Sequence, residues 1–236
     1  MKKILILFAV LMFLPAGAMA VPFPIADQVG DWIGQRGFDT YSISLETNPA
    51  TPMSFVIATN YPKDGLTVDG GSVDWETDPA DLLLRVGNPR SGNYWHYAIP
   101  LVDHQAFKAG TVYRIASSSG LYSSYDFAPS GTFFHGGASV WLRNGTATSW
   151  TGTWEWVDIE GSSPEFNIVY SNANWNWNDL AGDQSLTIAW VTATCANDII
   201  SGTVQPNPVP EPATMLLLGS GLIGLAGFGR KKLIRK

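Results

Sequence analysis

The sequence predicts an all-β protein: an antiparallel, two-layer β-sandwich of jelly-roll-like form, followed by a C-terminal hydrophobic helix. Short segments rich in β-branched and aromatic residues recur along the middle of the chain, and Gly, Pro, Asn and Asp separate them. No long stretch of that region has the period of an amphipathic helix. A closed barrel is the alternative arrangement of the same strands.

Nine segments fit strands. The clearest alternation lies in residues 38–47, where Tyr41, Ile43 and Leu45 share one face. The predicted strands are 38–47, 53–59, 82–86, 94–102, 111–116, 138–143, 153–159, 165–170 and 186–192. So many short strands without intervening helices favour the sandwich. Residues 202–210 contain three prolines in nine positions and predict a strand-free, extended linker.

The first 20 residues have the composition of a secretory signal peptide. Lys2 and Lys3 precede an apolar run from Ile4 to Leu14, and Ala18-Met19-Ala20 fits the small-x-small pattern of signal peptidase. The run is too short for a membrane span. We therefore expect the mature chain to begin at Val21.

Beyond the signal peptide, the pattern predicts four further segments. They are a β-sandwich domain over 21–203, a Pro-rich linker over 204–212, a transmembrane sorting helix over 213–229 and a basic cytoplasmic tail over 230–236. As a helix, the uncharged part of the third segment is about 24 Å long, against about 30 Å for a hydrocarbon core, so it spans marginally. Five cations follow it, and such clusters stay in the cytoplasm: Arg230, Lys231, Lys232, Arg235 and Lys236.

Charge separates the domain from the ends of the chain. All 20 acidic residues but only seven of the 14 basic residues lie between Val21 and Pro212, so that stretch has a formal charge of −13. A strongly acidic domain repels phosphate backbones, which argues against nucleic-acid binding. Cys195 is the only cysteine, so no intramolecular disulfide can form, and we expect it to pack as a small apolar residue.

The C-terminal segment combines Pro210-Glu211-Pro212 with a Gly-rich apolar stretch and a basic end. This combination resembles the PEP-CTERM sorting signal of Gram-negative bacteria. The resemblance implies export by the Sec and signal peptidase machinery, a transient stage in the inner membrane, and cleavage by an exosortase. It further implies a place at the cell surface or in an extracellular matrix of polysaccharide or biofilm. The tail also resembles a motif labelled as the C-terminal motif of ice-binding proteins, a label that concerns only the tail.

A weaker resemblance reaches into the domain. Residues 194–200 look like the Cys-Gly-Asn-Asp-type ending of the last strand in many small PEP-CTERM β-sandwich proteins. Ala196 stands where glycine is common in that group. Because most of these proteins have no assigned activity, the resemblance implies a fold and a route of export only.

Two tryptophans are candidate ligand-binding residues. Trp175 and Trp177 alternate with asparagines in the segment 172–179, which is too polar for a central strand and therefore predicts a loop or edge. Exposed indoles beside amides can stack on sugar rings and bind hydroxyls. The competing interpretation is core packing, because one face of a sandwich strand needs large apolar residues.

Carboxylates supply two further candidates. Asp69, Asp74, Glu76 and Asp78 lie around turns and form a weak candidate calcium site; acidic turns that are merely solvated have the same pattern. A second group of carboxylates lies close together in sequence: Glu155, Asp158, Glu160 and Glu165. Two of them could form the acid pair of a glycosidase, although a solvated sheet face explains the group more simply.

The histidines and the serines predict no further functional site. His96, His104 and His135 do not have the spacing of a metal motif, so we expect no bound zinc. The chain also lacks a Gly-x-Ser-x-Gly elbow.

We therefore expect a surface or matrix protein without catalytic activity and without a required cofactor. A carbohydrate-binding module that uses exposed tryptophans is the alternative function, and a polysaccharide-active enzyme is the second alternative.

Overall fold

The computed structural model describes residues 23–27, 36–45, 51–68, 75–87, 95–127, 137–194, 196–205 and 220. The chain divides into two compact units, residues 20–206 and residues 1–19 together with 207–236. Among the described residues, no helix is both long and apolar enough to cross a membrane. Of the helix predicted over 213–229, only Ser220 lies among the described residues.

Fourteen strands occur in the described part of the first unit. They are β1 (Phe23–Ala26), β2 (Thr40–Leu45), β3 (Pro52–Thr59), β4 (Leu66–Val68), β5 (Trp75–Thr77), β6 (Leu82–Val86), β7 (Tyr97–Ile99), β8 (Thr111–Arg114), β9 (Leu121–Ser123), β10 (Ser139–Leu142), β11 (Thr146–Asp158), β12 (Phe166–Asn176), β13 (Leu186–Val191) and β14 (Ile199–Val204). One short α-helix, Trp177–Leu180, and three 3₁₀ turns, Arg36–Phe38, Ser118–Gly120 and Ser124–Asp126, accompany them.

Ten of these strands form one antiparallel sheet, in the order β1-β2-β3-β12-β11-β8-β7-β6-β13-β14. The two terminal strands of the sheet, β1 and β14, contact each other. The sheet is therefore nearly closed, and the predicted all-β class is confirmed. Two small hairpins, β9–β10 and β4–β5, complete the described strands.

The long strand β11 joins the two halves of this sheet. Thr146, Ala147 and Thr151 pair with β8, whereas Gly152 to Asp158 pair with β12. The change of partner falls at Gly152, whose backbone N–H donates to the Gly110 carbonyl at 2.9 Å. A Cβ on Gly110 would lie 2.1 Å from the Gly152 carbonyl oxygen, so only glycine permits this approach.

The core lies inside the curved sheet and follows the period-two pattern. Along β3, Met53, Phe55 and Ile57 are buried while their neighbours are partly exposed. All six residues of β13 are buried, because the β9–β10 hairpin covers the outer face of this half. The segment with the clearest alternation, 38–47, contains the shorter strand β2, and the apolar run predicted over 82–86 is β6 with the same bounds.

The strand β14 contradicts the prediction of a strand-free linker from residue 202. It continues to Val204 and pairs along its length with β13. Its inward positions are Ile200, Gly202 and Val204. A Cβ on Gly202 would lie 2.7 Å from the Ile25 side chain of β1, so the contact between the sheet ends requires a residue without a side chain. That glycine interrupts the apolar alternation, which is why the sequence pattern missed the strand.

The turn between β13 and β14 accounts for the resemblance over residues 194–200. Ala196 has a φ of +54°, in the left-handed region that glycine adopts most easily. Asp198 follows and is fully buried; its carboxylate accepts from the backbone N–H of Thr40 at 2.7 Å and from that of Ile199 at 2.8 Å. The turn is thereby attached to the start of β2. Cys195 lies outside the described residues.

The contact between the sheet ends predicts coupling between two positions. Gly202→Ala should destabilise the domain by about 1–3 kcal/mol, because the new methyl group overpacks against Ile25. In an Ile25→Ala background the same change should cost at least about 1 kcal/mol less, since the clash is gone. Urea unfolding of the two single variants and the double variant measures this coupling. Additivity within about 0.5 kcal/mol would contradict the contact.

The positive φ of Ala196 predicts that glycine is tolerated at this position and that valine is not. Ala196→Gly relieves a backbone cost of about 1–2 kcal/mol but removes a buried methyl group worth about 0.8 kcal/mol and makes the unfolded chain more flexible. The net change in unfolding free energy should stay within about 1 kcal/mol. Ala196→Val places a β-branched residue at positive φ and should cost more than about 2 kcal/mol. Equal melting midpoints for the two variants would contradict a left-handed conformation at residue 196.

Candidate functional site

The two candidate ligand-binding tryptophans belong to the core, and the prediction that they are exposed is wrong. Trp175 is 2% exposed and Trp177 is fully buried. The Trp175 ring lies 5.7 Å from the Trp150 ring in a stacked arrangement, and the Trp177 indole N–H donates to the Gly182 carbonyl at 2.9 Å. Neither indole offers a free face to a sugar ring.

The asparagines around them replace backbone hydrogen bonds at an irregular point of β12. The pairing of β12 with β3 shifts register between Ser171 and Asn176. There the Asn172 side chain donates to the Met53 carbonyl and accepts from Trp175 N–H, and the Asn174 amide bridges to β11. The register shift turns Trp175 inward. The segment is therefore part of an interior strand, and its polar residues satisfy the backbone instead of a ligand.

Asn176 then ends the strand and begins the short helix. Its side chain accepts from Asp179 N–H, and the Asp179 carboxylate accepts from Asn176 N–H at 2.8 Å. This reciprocal capping box places Trp177 in the first helical position, where its indole enters the core. The pattern over residues 174–179 thus has a structural explanation except at Asn178, which is exposed.

The carboxylate candidates do not converge in the described residues. Glu76 and Asp78 are exposed, and Asp69 and Asp74 lie outside the described residues. Glu155, Asp158, Glu160 and Glu165 are exposed along β11 and the turn that follows it. No group of three or more metal-ligating side chains occurs among the residues with described positions. Calcium binding stays a prediction.

One buried acid–imidazole pair links three loops. Asp81 is fully buried; it accepts from His104 Nε2 at 2.9 Å and from Leu142 N–H at 2.7 Å. The His104 ring stacks on the Trp141 indole at 4.3 Å with an interplanar angle of 2°. Burial raises the pKa of Asp81, and the hydrogen bond from His104 opposes that effect. The pair joins the start of β6 to the end of β10, which is a structural role.

The strongest candidate for a binding site is an open groove of about 570 Å³ at one end of the sheet. We call it the arginine groove. β6 ends there, β7 begins there and β8 ends there, so their terminal residues meet although they are distant in sequence. Its lining is Val86, His96, Tyr97, Arg114, Ile115, Ala116, Leu180 and Gln184.

Backbone hydrogen bonds hold the groove in shape. His96 N–H donates to the Leu84 carbonyl at 2.9 Å, Ile115 N–H donates to the His96 carbonyl at 2.8 Å, and Val86 N–H donates to His96 Nδ1 at 3.0 Å. Gly87 turns the chain next to Gln184 with a φ of +87°. A Cβ on Gly87 would lie 2.8 Å from the Gln184 Oε1. The groove is therefore built from strand ends and one glycine turn.

Two arginines act on His96. Arg114 lines the groove, whereas Arg85 is not one of its lining residues and has its guanidinium 5.2 Å from the centroid of the Trp95 ring. Burial, together with the charges of Arg85 and Arg114, lowers the pKa of His96. A neutral imidazole that accepts through Nδ1 carries its proton on Nε2. No sequence pattern marks Arg114 as a groove residue, because only the strand order brings it to the other lining residues.

Comparison with known proteins identifies one segment. The family model described as the PEP-CTERM protein-sorting motif matches residues 208–231. The match confirms the resemblance based on Pro210-Glu211-Pro212, and indicates an exported bacterial protein that an exosortase processes and that reaches the cell surface or extracellular space. No curated protein and no solved structure matches the chain.

Burial of Trp177 predicts a stability defect. Trp177→Ala should lower the unfolding free energy by about 3–5 kcal/mol, because a large cavity forms and the Gly182 carbonyl loses its donor. Asn178→Ala, one residue along the same helix at an exposed position, is the control and should change it by less than about 0.5 kcal/mol. Chemical denaturation distinguishes the two variants. Similar small effects at both positions would show that the indole is not a core residue.

Proposed function

We propose that this chain is an exosortase-processed component of a bacterial cell surface or extracellular matrix and has no catalytic activity. The match of residues 208–231 to the PEP-CTERM sorting motif carries the proposal. The motif directs the export and processing of the protein. The β-domain is the part that remains outside the cell after processing.

The proposed route has three stages. The signal peptide over residues 1–20 directs Sec export and is removed by signal peptidase. The segment 213–229 then holds the chain transiently in the inner membrane of a Gram-negative bacterium, with the cations of residues 230–236 on the cytoplasmic side. Exosortase cleavage near Pro210-Glu211-Pro212 releases the domain. The marginal length of the uncharged stretch, about 24 Å as a helix, suits a temporary anchor.

The non-catalytic role is supported by what the polar residues do. The asparagines of residues 172–176 hydrogen-bond to the backbone, Asp198 binds the N–H groups of two strands, and Asp81 binds His104 and Leu142. These groups stabilise the fold. The carboxylates of β11 lie on an exposed strand face. A protein that contributes a stable, acidic surface to a polysaccharide or biofilm matrix fits these observations.

The route predicts a specific mass. Intact-mass analysis of the protein recovered from the surface of its own cells should show a chain that begins at Val21 and lacks the basic residues from Arg230 onward. Glu211→Ala should leave the basic tail attached and the protein in the membrane fraction. The matched control Glu165→Ala, which likewise removes a single carboxylate, at an exposed position of the domain, should be processed normally. Surface protein that still ends at Lys236 would contradict the proposed function.

A further inference from the structure

We propose that the arginine groove binds an acidic saccharide, with Arg114 as the main ligand for the carboxylate of a uronic acid unit. The inference deepens the proposed function and rests on it, because a matrix component meets such saccharides outside the cell. It starts from the charge of the domain. The stretch from Val21 to Pro212 has a formal charge of −13, yet none of the described residues that line this groove is a carboxylate.

The guanidinium of Arg114 has donors to spare. Within the described residues, no carboxylate forms an ion pair with Arg114; the ion pairs found there are His104–Asp81 and Lys108–Asp103. Guanidinium groups also match a carboxylate with two parallel hydrogen bonds.

The shape and the other lining residues favour a sugar ring. Val86 and Tyr97 are partly exposed and give the groove an apolar wall, against which the carbon face of a pyranose can pack, while Ile115 and Leu180 are buried behind it. Gln184 supplies both a donor and an acceptor for hydroxyl groups. An apolar wall, an amide and a guanidinium together fit the ring, the hydroxyls and the carboxylate of a uronic acid.

An acidic peptide fits the groove less well. Extended peptides usually bind by adding a strand to a free sheet edge. β6, β7 and β8 are interior strands of the ten-stranded sheet, so the groove offers no such edge. Its volume of about 570 Å³ suits one end or a short section of a saccharide chain.

The test uses the processed protein and three probes in titration calorimetry: trigalacturonate, its fully methyl-esterified form, and a glutamate hexapeptide. We expect saturable binding of trigalacturonate, at least tenfold weaker binding of the ester, and no saturable binding of the peptide. Arg114→Gln should weaken trigalacturonate binding at least tenfold. Lys63→Gln, which removes one positive charge on an exposed turn away from the groove, should change it less than twofold.

The outcomes separate the two proposals. Equal binding of the acid and the ester, equal loss in both variants, or tighter binding of the peptide would overturn the saccharide site. Absence of binding to trigalacturonate would do the same, while the intact-mass result would still decide the sorting route. Arg114 is exposed, so its substitution should leave the melting midpoint unchanged. Loss of binding with an unchanged midpoint therefore supports the site.

Discussion

The close contact of Gly110 with Gly152 is the constraint on which the shape of the domain depends. At this point β11 leaves β8 and begins to pair with β12, so the two halves of the sheet share one continuous strand. The Tyr170 hydroxyl donates to the Gly110 carbonyl at 3.1 Å, and its ring contacts Trp154 and Phe55. Burial raises the pKa of Tyr170 to about 12, so the phenol stays protonated and continues to donate. The two glycines permit the close approach of the strands, and the hydrogen bond from Tyr170 stabilises it.

The sequence predicted strands both from side-chain alternation, as in β2, and from short apolar runs, as in β6. All nine predicted segments overlap strands, and β6 matches fully. β14 was missed because Gly202, which the contact with Ile25 requires, removes an apolar residue from the pattern. The three-residue strands β4, β5 and β9 are too short to show any period. In each case the sequence does not show which strand lies opposite the segment in the folded domain, or how closely the two strands approach.

The interpretation of Trp175 and Trp177 failed for a related reason. Polarity predicted exposure, but Asn172 and Asn174 bind the backbone of neighbouring strands at a register shift that has no signature in composition. The candidate groove could not be predicted from the sequence either, because its lining residues Val86 and Arg114 are far apart in the chain and only the strand order β6-β7-β8 brings them together. The sorting motif was recognised since an enzyme reads it as a contiguous peptide. A motif of that kind needs no fold to be visible.

The contact between β1 and β14 has a consequence for the association of this domain with other chains. A terminal strand with unpaired backbone groups is a template onto which another chain can add. Here the two terminal strands of the ten-stranded sheet lie against each other, and Gly202 makes the approach close. Each terminal strand therefore hinders the approach of a foreign strand to the edge of the other.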